Sequence, residues 1–91
     1  MLVYQPVKVI HKAVIYTEKG TERKRPNPAP KYEFIRYGQL HVGGLARHCR
    51  WKFVEGGDSI QELINRNANS VNQSQRWRVI RTSDNFVEDQ G

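Results

Sequence analysis

The stretch Leu45–Thr82 constrains the fold more than any other, because its apolar period switches from that of a strand to that of a helix and back. From Leu45 onward Cys49, Trp51 and Phe53 alternate with His48, Arg50 and Lys52, which gives a strand one apolar and one cationic face. Glu55-Gly56-Gly57-Asp58 stops that strand. Ser59-x-x-Glu62 is then a capping box, in which a hydroxyl and a carboxylate satisfy backbone donors that a helix start leaves open. Ile60, Leu63, Ile64, Ala68 and Val71 recur every three or four residues and form one buried helical stripe. The Asn, Ser and Gln run at Asn67–Gln75 competes with the backbone for hydrogen bonds, so the helix is expected to fray by Asn69–Ser70. Gln75–Thr82 returns to strand, with Trp77 and Val79 on one face and Arg76, Arg78 and Ile80 on the other.

The rest of the chain reads as more strand. Val3–Tyr16 is rich in Val, Ile and Tyr and is expected to form one or two strands bent near Pro6 or His11-Lys12, with Pro6 at a sheet edge. Residues 18–31 hold Gly20, Pro26, Pro28 and Pro30, which forbid a regular ladder, and read as a long exposed loop. In Tyr32–Tyr37, Phe34 shares a face with Tyr32 and Arg36, and Ile35 shares the other with Glu33 and Tyr37. Gly38-Gln39 suits a two-residue turn, followed by a strand over Leu40–Val54 that Gly43-Gly44 interrupts with a bend or bulge.

These elements predict an α+β fold: a small, mostly antiparallel β-sheet of four to five strands with a single helix packed on one face. The order is compatible with a small OB-like barrel or with an open sheet of ferredoxin-like half topology. A chain of 91 residues supports one core, so residues 1–83 are expected to be one domain, with 84–91 an acidic, disordered tail.

Charge limits the partners. Fifteen Lys and Arg face nine Asp and Glu, for a net charge of +6, and every cation precedes residue 84 while Asp84, Glu88 and Asp89 follow. A body this basic attracts phosphate-rich or acidic partners through its summed field. No apolar run approaches the roughly 20 residues that cross a bilayer, so no membrane partner is expected. The lone Cys49 has no intramolecular disulfide partner and fits a reducing, cytoplasmic setting.

The residues expected to meet a partner are Arg23, Lys24 and Arg25 on the loop, His48, Arg50 and Lys52 on one strand, and Arg76 and Arg78 on another. If the two strands flanking the helix lie in one sheet, their cations form a stripe, with Trp51 and Trp77 held inside and a surface Tyr stacking on bases. The expected function is a non-enzymatic nucleic-acid-binding or regulatory protein. The alternative is a small inhibitor or adaptor, of the kind a phage or mobile element encodes, that blocks an acidic surface of a host protein. A metal-independent ribonuclease using His11, His41, His48 or Tyr37 is third, since the residue types are present without a diagnostic spacing. No cofactor is expected, and His11, His41, His48 and Cys49 lack paired metal-ligand spacing. The edge near Pro6 is open to pairing with a second copy of the chain.

Overall fold

The computed structural model describes residues 14–42, 45–73 and 75–91, with side chains outside 41–48. The expected strand over Val3–Tyr16 therefore lies, up to residue 13, outside the described residues, as do Pro6, His11 and the Gly43-Gly44 bend. The sheet is built on β1 (Tyr32–Val42), which pairs antiparallel with β2 (Leu45–Gly57) on one side and with β3 (Trp77–Arg81) on the other. A fourth strand, β4 (Val87–Gln90), pairs with β3 and completes the order β2-β1-β3-β4. Two short helices, α1 (Ile60–Arg66) and α2 (Ala68–Asn72), connect β2 to β3. The fold is thus a small α+β one, an open antiparallel sheet with helix on one face.

Cross-strand partners share a face, and the register sorts the side chains into two clusters. Phe34 and Val79 lie opposite one another and pack with Trp77 and Leu63 of α1, with Ile60, Ile64 and Val71 around them. Phe34 and Trp77 rings stack at 5.5 Å between centroids. Burying each such side chain contributes about 1.5–3 kcal/mol, which fixes the helix to this face. On the opposite face Ile35, Ile80 and Val87 form the second cluster, with Trp51 and Phe53 against it. What covers that cluster is an arm: Ile15 is buried in it, and Tyr16 hydrogen-bonds across the outer edge of β2, donating to Trp51 O at 2.9 Å and accepting from Phe53 N at 3.0 Å.

The capping box forms at its first half, Ser59 Oγ accepting from Glu62 N at 3.3 Å. The helical stripe then breaks at Asn67 rather than fraying near Ser70. Asn67 Nδ2 donates to Leu63 O at 2.8 Å, so the side chain takes a carbonyl that would continue the helix.

Three expectations are corrected. Gly38-Gln39 is not a turn: β1 runs through it, and Gly38 stands opposite Arg50 with the Lys52 stem lying across it. Residues 84–91 are not a disordered tail. Asp84 is fixed by Arg81, Asn85 takes a left-handed turn with φ 59, and Val87 is buried as β4 begins. Residues 18–31 are not simply an exposed loop either. Thr17 and Thr21 close a tight turn around Gly20, and the proline segment is held down where Thr82 Oγ1 donates to Pro30 O at 2.5 Å and Lys31 N donates to Asp58 Oδ1 at 3.2 Å.

Candidate nucleic-acid interface

Arg23 and Arg25 are consumed by the fold. Strand β1 places Glu33 on the same face as Ile80, and its side chain is fully buried. An ionised carboxylate there needs charged partners. Arg23 Nη1 donates to Glu33 Oε2 at 2.5 Å and Arg25 Nε donates to Oε1 at 3.0 Å. The Arg23 guanidinium also lies 3.6 Å from the centroid of the Phe53 ring. Arg25 spends its remaining donors on Thr82 O at 3.1 Å and Asn85 Oδ1 at 2.7 Å. Successive residues of an extended segment point to opposite sides, so Arg23 and Arg25 turn inward together and Lys24 turns out, where it is exposed. The expectation that all three reach phosphate is corrected to Lys24 alone. A cleft of about 100 Å³ between Val14, Ile15, Glu22, Arg23 and Arg25 offers no uncommitted arginine, because both are held by Glu33.

The expected single cationic stripe does not form, because β1 separates β2 from β3 and the register sets their cations on opposite faces. Tyr37 pairs with Trp51, and Ile35 pairs with both Phe53 and Arg78. Arg78 therefore sits beside Trp51, on the face that the arm covers lower down. One position along β1 the other face begins: Arg36 stands opposite both Lys52 and Trp77, and Gly38 opposite Arg50. Trp77 is inside with the helix, as expected, but Trp51 belongs to the opposite cluster and is half-buried.

The arrangement around Trp51 is the densest concentration of guanidinium and aromatic groups among the described residues. The Arg78 guanidinium carbon lies 4.3 Å from the Trp51 centroid and that of Arg76 lies 5.7 Å from it. Arg76 also lies 4.8 Å from the Tyr37 centroid, and Tyr37 meets Trp51 edge-on at 5.2 Å. Burial lowers the Arg78 pKa below its ordinary value and the neighbouring Arg76 charge lowers it further, so the two cations are felt as like charges. Among the described residues neither makes an ion pair, whereas Arg23, Arg25, Arg66 and Arg81 all do. Each cation–π contact is worth about 0.5–1 kcal/mol at a wet site. Two unit charges some 6–10 Å apart repel by about 0.4–3 kcal/mol over the range of effective dielectric constants near a surface. The aromatic rings thus hold the pair in place without neutralising it, and an anion placed between them would be attracted to both.

On the other face Arg36 donates to Gln75 Oε1 at 3.2 Å and Lys52 Nζ to Gln39 O at 3.4 Å, neutral acceptors, and neither cation makes an ion pair among the described residues. Arg50 is exposed, and among the described residues its Nη1 donates to Cys49 O at 2.8 Å. The side chains of His41 and His48, and all of His11, lie outside the described residues. Among the described residues no group of three or more His, Cys, Asp or Glu could hold a metal ion, and no helix is long and apolar enough to cross a membrane.

Two participants were missed by sequence reasoning. Tyr37 is named by the sequence only for the ribonuclease alternative and not for the cationic site, and Trp51 is assigned wholly to the core. The signal that finds them is pairing order: once β1 is the central strand, Tyr37 and Trp51 are cross-strand neighbours and Arg76 and Arg78 flank them. Comparison of the chain with protein families, curated proteins and solved structures returns no match.

Proposed function

We propose that this protein is a non-enzymatic nucleic-acid-binding protein that holds phosphate with Arg76 and Arg78, oriented on Trp51 and Tyr37, and with Arg50 and Lys52 behind them. The observation that carries this reading is the pair of like-charged guanidinium groups fixed over one indole without a carboxylate partner among the described residues. Four other arginines are matched to acid, Arg66 with Glu55 and Glu62, Arg81 with Asp84 and Glu88, and Arg23 and Arg25 with Glu33, whereas Arg36 and Arg50, like Arg76 and Arg78, make no ion pair among the described residues. A phosphodiester supplies the missing charge, and half-exposed aromatic rings beside it suit contact with bases or sugars. The single Cys49, a free thiol, fits action in the reducing cytoplasm.

The test is fluorescence anisotropy of nuclease-treated protein with labelled nucleic-acid probes at low salt. Binding is expected, with log affinity falling linearly against log salt. The double variant Arg76→Gln/Arg78→Gln is expected to flatten that slope by roughly two phosphate contacts while the fold, followed by far-UV circular dichroism, is retained. Absence of binding to every probe at low salt overturns the reading. Capture of one stoichiometric acidic protein that survives nuclease treatment would replace it with the inhibitor.

A further inference from the structure

We infer that the bound nucleic acid is single-stranded, and that its bases take the faces of Tyr37 and Trp51 while Arg76 and Arg78 turn from those rings to the phosphates; the inference rests on the nucleic-acid reading above. All four side chains stand on one face of the sheet. Tyr37 pairs with Trp51 of β2 and donates its backbone N–H to Arg76 O at 2.9 Å, and Arg78 follows two residues on, opposite Ile35. Arg76 is exposed, and Arg78, Tyr37 and Trp51 are partly exposed. Alternate residues of one strand stand about 6.6 Å apart on the same face. The two guanidinium groups thus start from a single line along β3, which serves a single phosphate track.

Relative contact strengths favour the exchange. In the free protein the Arg76 guanidinium lies 4.8 Å from the Tyr37 centroid and that of Arg78 lies 4.3 Å from the Trp51 centroid. A guanidinium over a ring at a wet site is held weakly, and a base stacked on the same ring is held more strongly. A guanidinium on a phosphate gains charge-assisted hydrogen bonds that a ring cannot offer. Trading each ring–cation contact for a ring–base contact and a cation–phosphate contact is therefore favourable, and the phosphates also relieve the repulsion between the two arginines. A duplex cannot make this trade, because its bases are paired and stacked on one another and show a protein only their edges. Reading those edges takes an element set into a groove, such as a helix. Both α1 and α2 lie against the opposite face of the sheet, around Phe34 and Val79. Single strands of DNA and RNA offer the same splayed bases and phosphates, so probes of both are used.

The experiment uses the full chain at low salt with four probes of about 12 nucleotides: single-stranded DNA and RNA of one mixed sequence, the DNA duplex of that sequence, and an abasic DNA strand that keeps the phosphates and lacks the bases. At least one single strand is expected to bind about tenfold more tightly than the duplex and the abasic strand. It is also expected to quench tryptophan emission, and since Trp77 is buried with the helix the quenching reports Trp51. Trp51→Leu is expected to remove the quenching and weaken the single strand about tenfold with the salt slope unchanged. Arg76→Gln/Arg78→Gln is expected to lower that slope by about 0.7 for each arginine. Circular dichroism confirms that each variant is folded, and the abasic arm needs no variant, so it decides the matter even where Trp51→Leu does not fold. Duplex binding as tight as both single strands overturns the inference, as does an abasic strand bound as tightly as its parent or a folded Trp51→Leu that keeps full affinity. In those outcomes the nucleic-acid reading survives. Failure of every probe to bind at low salt removes both.

Discussion

Glu33 is the residue on which the arm depends. Its carboxylate is fully buried and, among the described residues, is neutralised by Arg23 and Arg25, whose side chains are 13% and 28% exposed. Glu33→Gln leaves two guanidinium groups facing a neutral amide. Breaking a buried pair from one side costs about 3–5 kcal/mol, and the partly wet arginines reduce the expected loss to about 2–4 kcal/mol. Urea denaturation measures it, with Lys24→Gln as the control, expected to stay within about 0.5 kcal/mol of the parent. A loss below 1 kcal/mol for Glu33→Gln would show that the arm is not anchored there. Asp84 permits a second residue-scale prediction. Its hydrogen bonds from Arg81, with a smaller contribution from the Phe86 N–H, hold its pKa at about 2 against an ordinary 3.8. Because the folded value lies below the unfolded one, the unfolded chain takes up more protons between these values. The stabilisation is therefore complete above about pH 4 and lost as the pH falls toward 2. Asp84→Asn should make the urea midpoint fall less steeply over that window, and an unchanged acid limb would exclude the Arg81 contact as its cause.

At the scale of elements, the helix and β3 were legible because amphipathic periodicity is local: Ile60, Leu63, Ile64, Trp77 and Val79 all meet on one face of the sheet. β1 was cut short because Gly38 mimics a turn signal, and only tertiary pairing shows its use, a gap for the Lys52 stem. The same gap makes a prediction. A Cβ at Gly38 would meet Lys52 Cε at 3.4 Å and Nζ at 3.6 Å, the far end of a flexible side chain, and the backbone there is not left-handed. Gly within a strand costs roughly 0.5–1 kcal/mol, and a β-branched residue suits a strand interior. Gly38→Thr is therefore expected to stabilise the β1–β2 pair by about 0.5–1 kcal/mol, or some 2–8 °C in the melting temperature of a domain this size. A lowered melting temperature would show that Lys52 cannot move aside.

Across the whole molecule the pairing order decides what the partner meets. Alternation correctly split Arg76 and Arg78 from Trp77, yet it carries no information on which strand sits between which, so two faces were read as one stripe. The order β2-β1-β3-β4 also sets the acidic end of the chain, Glu88 and Asp89, at the sheet edge opposite the cations of β2. Three strand spacings of about 4.8 Å separate those edges by roughly 14 Å. At that distance one unit charge acts on another with about 0.3 kcal/mol in water, and several phosphates are felt together. The Debye length is about 30 Å at 0.01 M salt and about 8 Å at 0.15 M, so the field of the acidic edge at the β2 cations is screened at 0.15 M, whereas Arg78, on the strand next to β4 and opposite Gln90, feels Asp89 at about one strand spacing in either salt. Asp89 is exposed and makes no ion pair among the described residues, so Asp89→Asn removes this field without freeing an arginine, as loss of Glu88 would free Arg81. The variant is expected to raise the association rate for nucleic acid about two- to threefold at 0.01 M salt and by a smaller factor at 0.15 M, measured by stopped-flow anisotropy. A rate unchanged at both salt concentrations would mean that the polyanion does not approach the Arg76–Arg78 side of the sheet, which lies beside β4.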